Sequence, residues 1–202
     1  MIAHIAVSLI FACVFAEFVG YWLHILLHSN KIEFLSRNHM IHHLVIYAPN
    51  TPQRRSGEYL ASTYGRASVL GLGMEWLLPV AIILASVLAA FRVLGVAAAD
   101  QAAFIAAALA WGCLMFWYMH DAMHLMDFWM ESSPFWRLWF LTARRRHDIH
   151  HMDLVDDGRM TVNFGICFFF FDRVFGTLAD AHARFNQKGL AAAKRRYAYI
   201  FR

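Results

Sequence analysis

Ten of the twelve histidines in this 202-residue chain fall into two copies of one pattern. His24-x3-His28 is followed by His39-x2-His42-His43, and His120-x3-His124 is followed by His147-x2-His150-His151. Imidazole binds redox metals at neutral pH. Helical positions i, i+3 and i+4 share a face, so each group is expected to present its rings in one direction and all four to close around metal. A lone histidine on an apolar helix is ordinarily a satisfied core residue, but ten in a repeated register make that reading improbable. Ligand type leaves the metal open, since imidazole suits zinc, copper, iron and nickel. Their number narrows the choice. Ten donors exceed two closed tetrahedral zinc sites, whereas two metals with about five nitrogen ligands each keep positions open for a small molecule. Two irons that hold dioxygen at a membrane boundary fit that inventory best.

The scaffold for these donors follows from composition. A chain that is 60% hydrophobic and 16% charged is too apolar for an ordinary soluble globule. Ile5–Leu23, Trp76–Leu94 and Gln101–Met119 each approach the roughly 20 apolar residues that cross a bilayer. The expected fold is all-α: an integral membrane bundle of about three transmembrane helices, with a cytosolic helical cap holding a histidine-rich dimetal site. Lys31–Ile46 and Phe135–His151 are the predicted cap helices, and Pro49–Gly57 reads as loop. Phe135–Leu141 and Phe164–Phe171 are too short to cross and are expected to dip into the interface or pack beneath the bundle, a buried core remaining open for the second.

Charge orients the bundle. Met1–Gly20 has no Lys or Arg and Arg92 stands alone beside the short turn Gly95–Asp100; every other basic residue lies in Lys31–Arg66 or from Arg137 onward. The positive-inside rule then places all four histidine groups on the cytosolic face. The first apolar stretch lacks a basic start and a small-residue cleavage site, so it is expected to be retained. Cys13, Cys113 and Cys167 sit in apolar segments without CxxC spacing and are assigned to packing. A net charge of +4 comes without a nucleic-acid motif, so no nucleic-acid partner is expected. The chain reads as one domain, 1–202. Its tail, 181–202, carries Lys194-Arg195-Arg196 and is expected to be an exposed basic helix or partly ordered arm that serves orientation or lipid headgroups.

The four boxes HxxxH, HxxHH, HxxxH and HxxHH, with Tyr21-Trp22-x-His24 before them and Asn163-Phe164-Gly165…Asp172-Arg173-Val174-Phe175-Gly176-Thr177 after, resemble the fatty acid hydroxylase/sterol desaturase superfamily over about residues 17–177. The resemblance implies a non-haem di-iron centre that uses dioxygen and two electrons to hydroxylate a lipid C–H bond. Carried over by position, the metal ligands are His24, His28, His39, His42, His43, His120, His124, His147, His150 and His151. Desaturation or methyl oxidation on the same site is the nearest alternative, and a non-catalytic membrane metal binder the next. The chain carries no flavin, nicotinamide, ferredoxin or cytochrome b5-like signature, so electrons are expected from an external carrier, a ferredoxin or cytochrome b5-like protein with its reductase. Similar proteins have two hairpins of spans, whereas one span precedes His24 here. The first hairpin is therefore expected to be truncated or replaced by a partner chain, which makes a homo-oligomer plausible.

Metal-bound histidines usually donate their second ring N–H to a carboxylate or carbonyl, and Asp121 and Asp148 each adjoin a candidate ligand. Glu17 is a costly carboxyl within an apolar span, about 10 Å along the helix from His24. It is expected to bond a group that supports the metals, to line the substrate passage, or simply to pack as a neutral acid. Tyr21 shares its stripe. Cys113, Phe116 and Trp117 precede His120 at helical spacing, with Gly112 leaving room, so these five residues with Tyr21 counted among them are the candidates for an apolar slot.

Overall fold

The computed structural model describes residues 2–61, 68–69, 72–181 and 185–202. Arg66 and tail residues 182–184 lie outside the described residues. Three helices are long and apolar enough to cross a membrane, spanning His4–Leu27, Met74–Val93 and Ala98–Met123. They belong to α1 (Ile2–Leu27), α3 (Met74–Val93) and the run that begins as α4 (Ala98–Gly112), passes through a π-helical stretch (Cys113–Met119) and ends as α5 (His120–Met123). Each apolar run carries large side chains that face outward, among them Ile10, Phe11, Ile82 and Leu109, as lipid-facing surfaces do.

Helices α1 and α4 run parallel. Ala12, Phe104 and Ala108 form their buried contact, and small residues at such a seam let backbones approach. Helix α3 runs beside this pair in the opposite sense. Its end is set by Gly95, which adopts a left-handed φ of 67°, so that Gly95 N–H reaches Arg92 O at 3.2 Å and Val96 N–H reaches Phe91 O at 2.9 Å. That pair of bonds satisfies the last carbonyls and reverses the chain within a few residues.

The cap is built on the side where α1 ends and α3 begins. It contains α2 (Glu33–Ile41), which continues into a π-helical turn (His42–Ile46), and α6 (Arg137–Met152), with the short α7 (Phe170–Phe175) and α8 (Gln187–Arg196) around them. A two-residue antiparallel ladder, β1 (Ser68–Val69) with β2 (Leu72–Gly73), leads into α3. Phe164 and Phe169 are buried while Phe168 and Phe170 remain exposed, so the aromatic segment packs beneath the bundle and keeps an apolar rim.

The tail differs from the exposed arm anticipated from its charge. Leu190, Ala193, Tyr197 and Ile200 enter a core with Met40, Leu44, Leu154 and Met160. Tyr197 Oη donates to His28 O at 2.6 Å, and Arg37 donates to Tyr199 O at 2.8 Å. The apolar face of α8 outweighs its cationic face because burying each large aliphatic or aromatic side chain contributes about 1.5–3 kcal/mol. Arg144 and Arg146, in the basic run of α6, are likewise tied within the chain: Arg144 pairs with Glu131 at 2.8 Å, and Arg146 with Asp180 at 2.7 Å.

Candidate metal centre

Nine of the ten pattern histidines form two buried groups, His24, His28, His39, His43 and His150 in one and His42, His124, His147 and His151 in the other. Within each group every residue offers a ligand atom no more than 4.8 Å from the others. The two groups abut where the rings of His43 and His151 stack with centroids 4.0 Å apart. His120 stands beside the second group, its ring centroid 4.8 Å from His42 and 5.0 Å from His147.

The rings of one helical triplet do not all point one way, which corrects the single-face expectation. His39 and His43 stay together, as do His147 and His151, but His42 and His150 each cross to the group of the other repeat. Consecutive residues diverge by about 100° around a helix, so His42 cannot share a direction with His43, nor His150 with His151. The crossing knits the two halves of the chain into one site.

Backbone carbonyls orient the rings. His24 Nδ1 meets Phe164 O at 2.5 Å, His150 Nδ1 meets Val162 O at 2.7 Å, His124 Nδ1 meets Gln53 O at 2.9 Å, and His151 Nδ1 meets Tyr47 O at 3.2 Å. A proton held on Nδ1 leaves the Nε2 lone pair free, and that is the state a metal needs. The Nε2 atoms converge: His28 to His39 at 2.9 Å, His28 to His150 at 3.2 Å, His124 to His147 at 3.0 Å and His42 to His151 at 3.2 Å. Two donors at right angles on an ion with bonds of about 2.1 Å are about 3.0 Å apart.

The fit to metal has a second test. Among the described residues, His24 Nε2 and both ring nitrogens of His43 are buried with no hydrogen-bond partner. Orphaned polar atoms at the centre of a site are costly unless something absent from the protein itself satisfies them. Burial, reinforced by neighbouring imidazoles, holds His28, His39, His42, His43, His147 and His151 well below the usual imidazole range. Burial lowers His150 to about 4. All are neutral at pH 7 and able to coordinate. The residues present fit a pair of metal ions.

The segment after α6 supplies two of the orienting carbonyls, and its polar side chains explain its shape. Asp172 is buried and accepts from Phe164 N–H and Gly165 N–H, each at 2.7 Å, and from Thr177 Oγ1 at 2.8 Å. Burial raises its carboxyl above the ordinary range while these bonds oppose the rise. Asn163, at a left-handed φ of 56°, donates to Arg146 O at 3.0 Å and Ala179 O at 2.8 Å and accepts from Ala179 N–H at 2.8 Å. Asparagine tolerates that conformation when its side chain is tied locally. A side chain on Gly165 would meet Asp172 Oδ2 at 2.6 Å.

The remaining candidates are distributed as follows. Asp121 Oδ1 lies 3.2 Å from His120 Nδ1. Asp148 receives Arg54, at 2.6 Å and 2.9 Å to its two oxygens, and thereby anchors the loop whose Gln53 carbonyl orients His124. Of the readings offered for Glu17, the contact in the structure is one of helix packing: its Oε1 accepts from Trp111 Nε1 at 2.8 Å, which turns it toward α4. Tyr21 is corrected. Its hydroxyl lies 3.1 Å from Thr177 Oγ1 and its ring stacks on Phe175, because the segment through Thr177 covers that side of α1.

Of the cavities that adjoin the site, two lie on the side of α3. One of about 140 Å³ lies among the spans and is bordered by Gly112, Cys113 and Phe116 as well as by Gly20 and residues of α1 and α3. The other, of about 60 Å³, lies against His24, His39, His42 and His120 and is bordered by Tyr59, Glu75, Trp76, Phe116, Trp117 and Asp121. Trp117 and Cys113 thus border different cavities while Phe116 borders both, along a π-helical stretch that changes the register an α-helix would keep; such stretches concentrate at functional sites. Sequence reasoning missed Gly20, Tyr59, Glu75 and Trp76. Glu75 is buried and its two oxygens accept from Asn38 Nδ2 at 3.0 Å, which ties α3 to the residue beside His39. A glycine one turn before His24 in an otherwise bulky apolar run was the one legible signal among the four.

A membrane bundle with two imidazole groups at one end of its spans defines a dimetal membrane protein. The chain matches the fatty acid hydroxylase family over residues 9–177 and belongs to that family. No curated protein and no solved structure matches it. Family and paired groups together support a di-iron membrane oxidoreductase that acts on lipids.

Proposed function

We propose that the protein is a dioxygen-dependent di-iron hydroxylase that inserts oxygen into a C–H bond of a membrane lipid. The observation that carries this reading is the pair of buried, neutral imidazole groups beside an apolar cavity that lies among the spans. His24, His28, His39, His43 and His150 would hold one iron, and His42, His124, His147 and His151 the other, with His120 beside the second. Iron held there supplies dioxygen activation: with two external electrons and two protons, one oxygen atom enters the C–H bond and the other leaves as water.

The chain's own residues supply position and dryness. Carbonyls of Gln53, Tyr47, Val162 and Phe164 keep the rings aimed inward. A cavity of about 60 Å³ admits small molecules, on the order of four waters. The apolar cavity keeps a lipid chain in hydrocarbon while one carbon approaches the histidines, so regioselectivity is a matter of depth. The histidine face lies in the cytosol by the distribution of Lys and Arg, where an external carrier delivers electrons.

The test is metal analysis of protein purified without chelator, paired with mass spectrometry of lipids from expressing cells against a His147→Ala control. Iron at two per chain with a lipid gaining one oxygen is the expected result. A lipid losing two hydrogens instead assigns the protein as a desaturase, and stable zinc without any lipid product overturns the enzymatic reading.

A further inference from the structure

Trp76 and Phe116 are the two residues that border both cavities. Their ring centroids are 6.0 Å apart, and the Trp76 ring lies 6.5 Å from that of His39. The Phe116 ring is pressed against the backbone of α1: a Cβ on Gly20 would sit 1.7 Å from its Cζ and 2.4 Å from two further ring carbons. Gly20 therefore exists as a seat for this ring, in a helix where alanine would otherwise be preferred by about 1 kcal/mol. The ring stands between the membrane cavity and the cavity at the histidines.

The size of the membrane cavity selects what enters it. A cavity of about 150 Å³ accommodates one benzene molecule, or on the order of six carbons, and this one measures about 140 Å³. Its border is apolar from Phe15, Val19 and Leu23 on α1 to Val80 and Leu84 on α3, with Trp76 and Cys113 its only lining side chains that carry a polar atom or thiol, so it offers little to a hydroxyl or a headgroup. A flexible chain can thread such a space a few carbons at a time; a rigid fused-ring nucleus cannot.

We infer that Phe116, seated on Gly20 and facing Trp76, is the partition that sets how far an unbranched acyl chain advances toward the metals, and so determines which carbon reacts. This rests on the lipid-oxidising function proposed above. Phe116 is a specificity-determining residue in this reading, and Gly20 positions it.

The test uses the full chain in nanodiscs of unbrominated phosphatidylcholine, with fatty acids brominated at successive carbons as probes. Quenching of Trp76, taken as the difference between wild type and Trp76→Phe, reports which carbon lies at the partition and needs no metal. Wild type is expected to be quenched by a narrow range of bromine positions. In Phe116→Ala the chain advances, so the range moves toward its trailing end, and the oxidised carbon in iron-loaded protein moves the same way. Gly20→Ala displaces the ring and weakens quenching about tenfold, the scale of an overpacking penalty, while Gly20→Ala/Phe116→Ala restores it with the shifted range. That rescue separates a displaced ring from a misfolded bundle. An unchanged range in Phe116→Ala, a double variant no better than Gly20→Ala, or a brominated sterol that quenches as well as the fatty acids each overturns the inference. Lipid oxidation by wild type with unshifted positions in Phe116→Ala defeats the partition alone; the shifted quenching without any lipid oxidation defeats the enzymatic reading alone.

Discussion

Replacing Asp172 with Asn is expected to loosen one metal and spare the other. The carboxylate holds Phe164 N–H and Gly165 N–H, each at 2.7 Å, and so fixes the segment whose Phe164 and Val162 carbonyls orient His24 and His150. An amide keeps one oxygen and turns an NH2 group toward the other backbone donor. One buried N–H loses its partner, which costs about 1–3 kcal/mol. Both affected histidines belong to the five-residue group, whereas the four-residue group is oriented through Gln53 and Tyr47. Loss of such a supporting bond typically weakens metal binding about 10–100-fold, equivalent to about 1.4–2.7 kcal/mol and within the range of the lost bond. The assay is iron per chain after equilibrium dialysis against graded chelator. Wild type is expected to release its two irons together, and Asp172→Asn to release one at a chelator activity about 10–100 times lower. Equal weakening of both irons, or of neither, refutes the division of labour between the two carbonyl pairs.

Further outcomes follow from the same geometry. His147→Ala removes a ring whose Nε2 lies 3.0 Å from that of His124 and is expected to lose one iron, whereas His120→Ala, outside both groups, keeps two; plasma emission spectrometry of the purified variants decides this. Glu17→Gln is expected to leave iron content and lipid product unchanged, because the amide oxygen can still accept from Trp111 Nε1. Tyr197→Phe removes the bond to His28 O and is expected to cost about 1 kcal/mol in thermal stability. Metal-free protein is expected to lose stability on acidification. The buried His150 falls to about 4 from about 6.5 when unfolded, so its contribution is complete above 6.5 and is lost as pH falls toward 4, to a total of about 3 kcal/mol for this group. Denaturation melts of chelator-stripped protein at stepped pH values measure it, and a flat profile between those limits contradicts the burial of this ring.

Spacing alone reveals the histidine pattern, because coordination chemistry restricts both residue type and period, and hydropathy alone places the spans at Ile5–Leu23, Trp76–Leu94 and Gln101–Met119, where the structure has apolar helices over His4–Leu27, Met74–Val93 and Ala98–Met123, because a bilayer demands long apolar runs. Local pattern also marks α6, observed at Arg137–Met152. What only the tertiary structure decides is which rings converge. His42 and His150 change partners between repeats where the rings of the π-helical turn meet those of α6, a relation no linear period encodes. The carbonyls of Gln53, Tyr47, Val162 and Phe164 leave no trace in residue identity, since every residue has one and only the fold selects four. The tail misleads for a related reason: Lys194, Arg195 and Arg196 dominate its charge, while the smaller signal of Leu190, Ala193 and Tyr197 becomes decisive once Met40 and Met160 offer a surface to cover. Glu17 and Tyr21 turn to neighbouring elements, Trp111 on one side and Thr177 on the other, which compete for them. Side-chain chemistry is written in sequence; the direction in which it is spent depends on contacts between residues far apart along the chain.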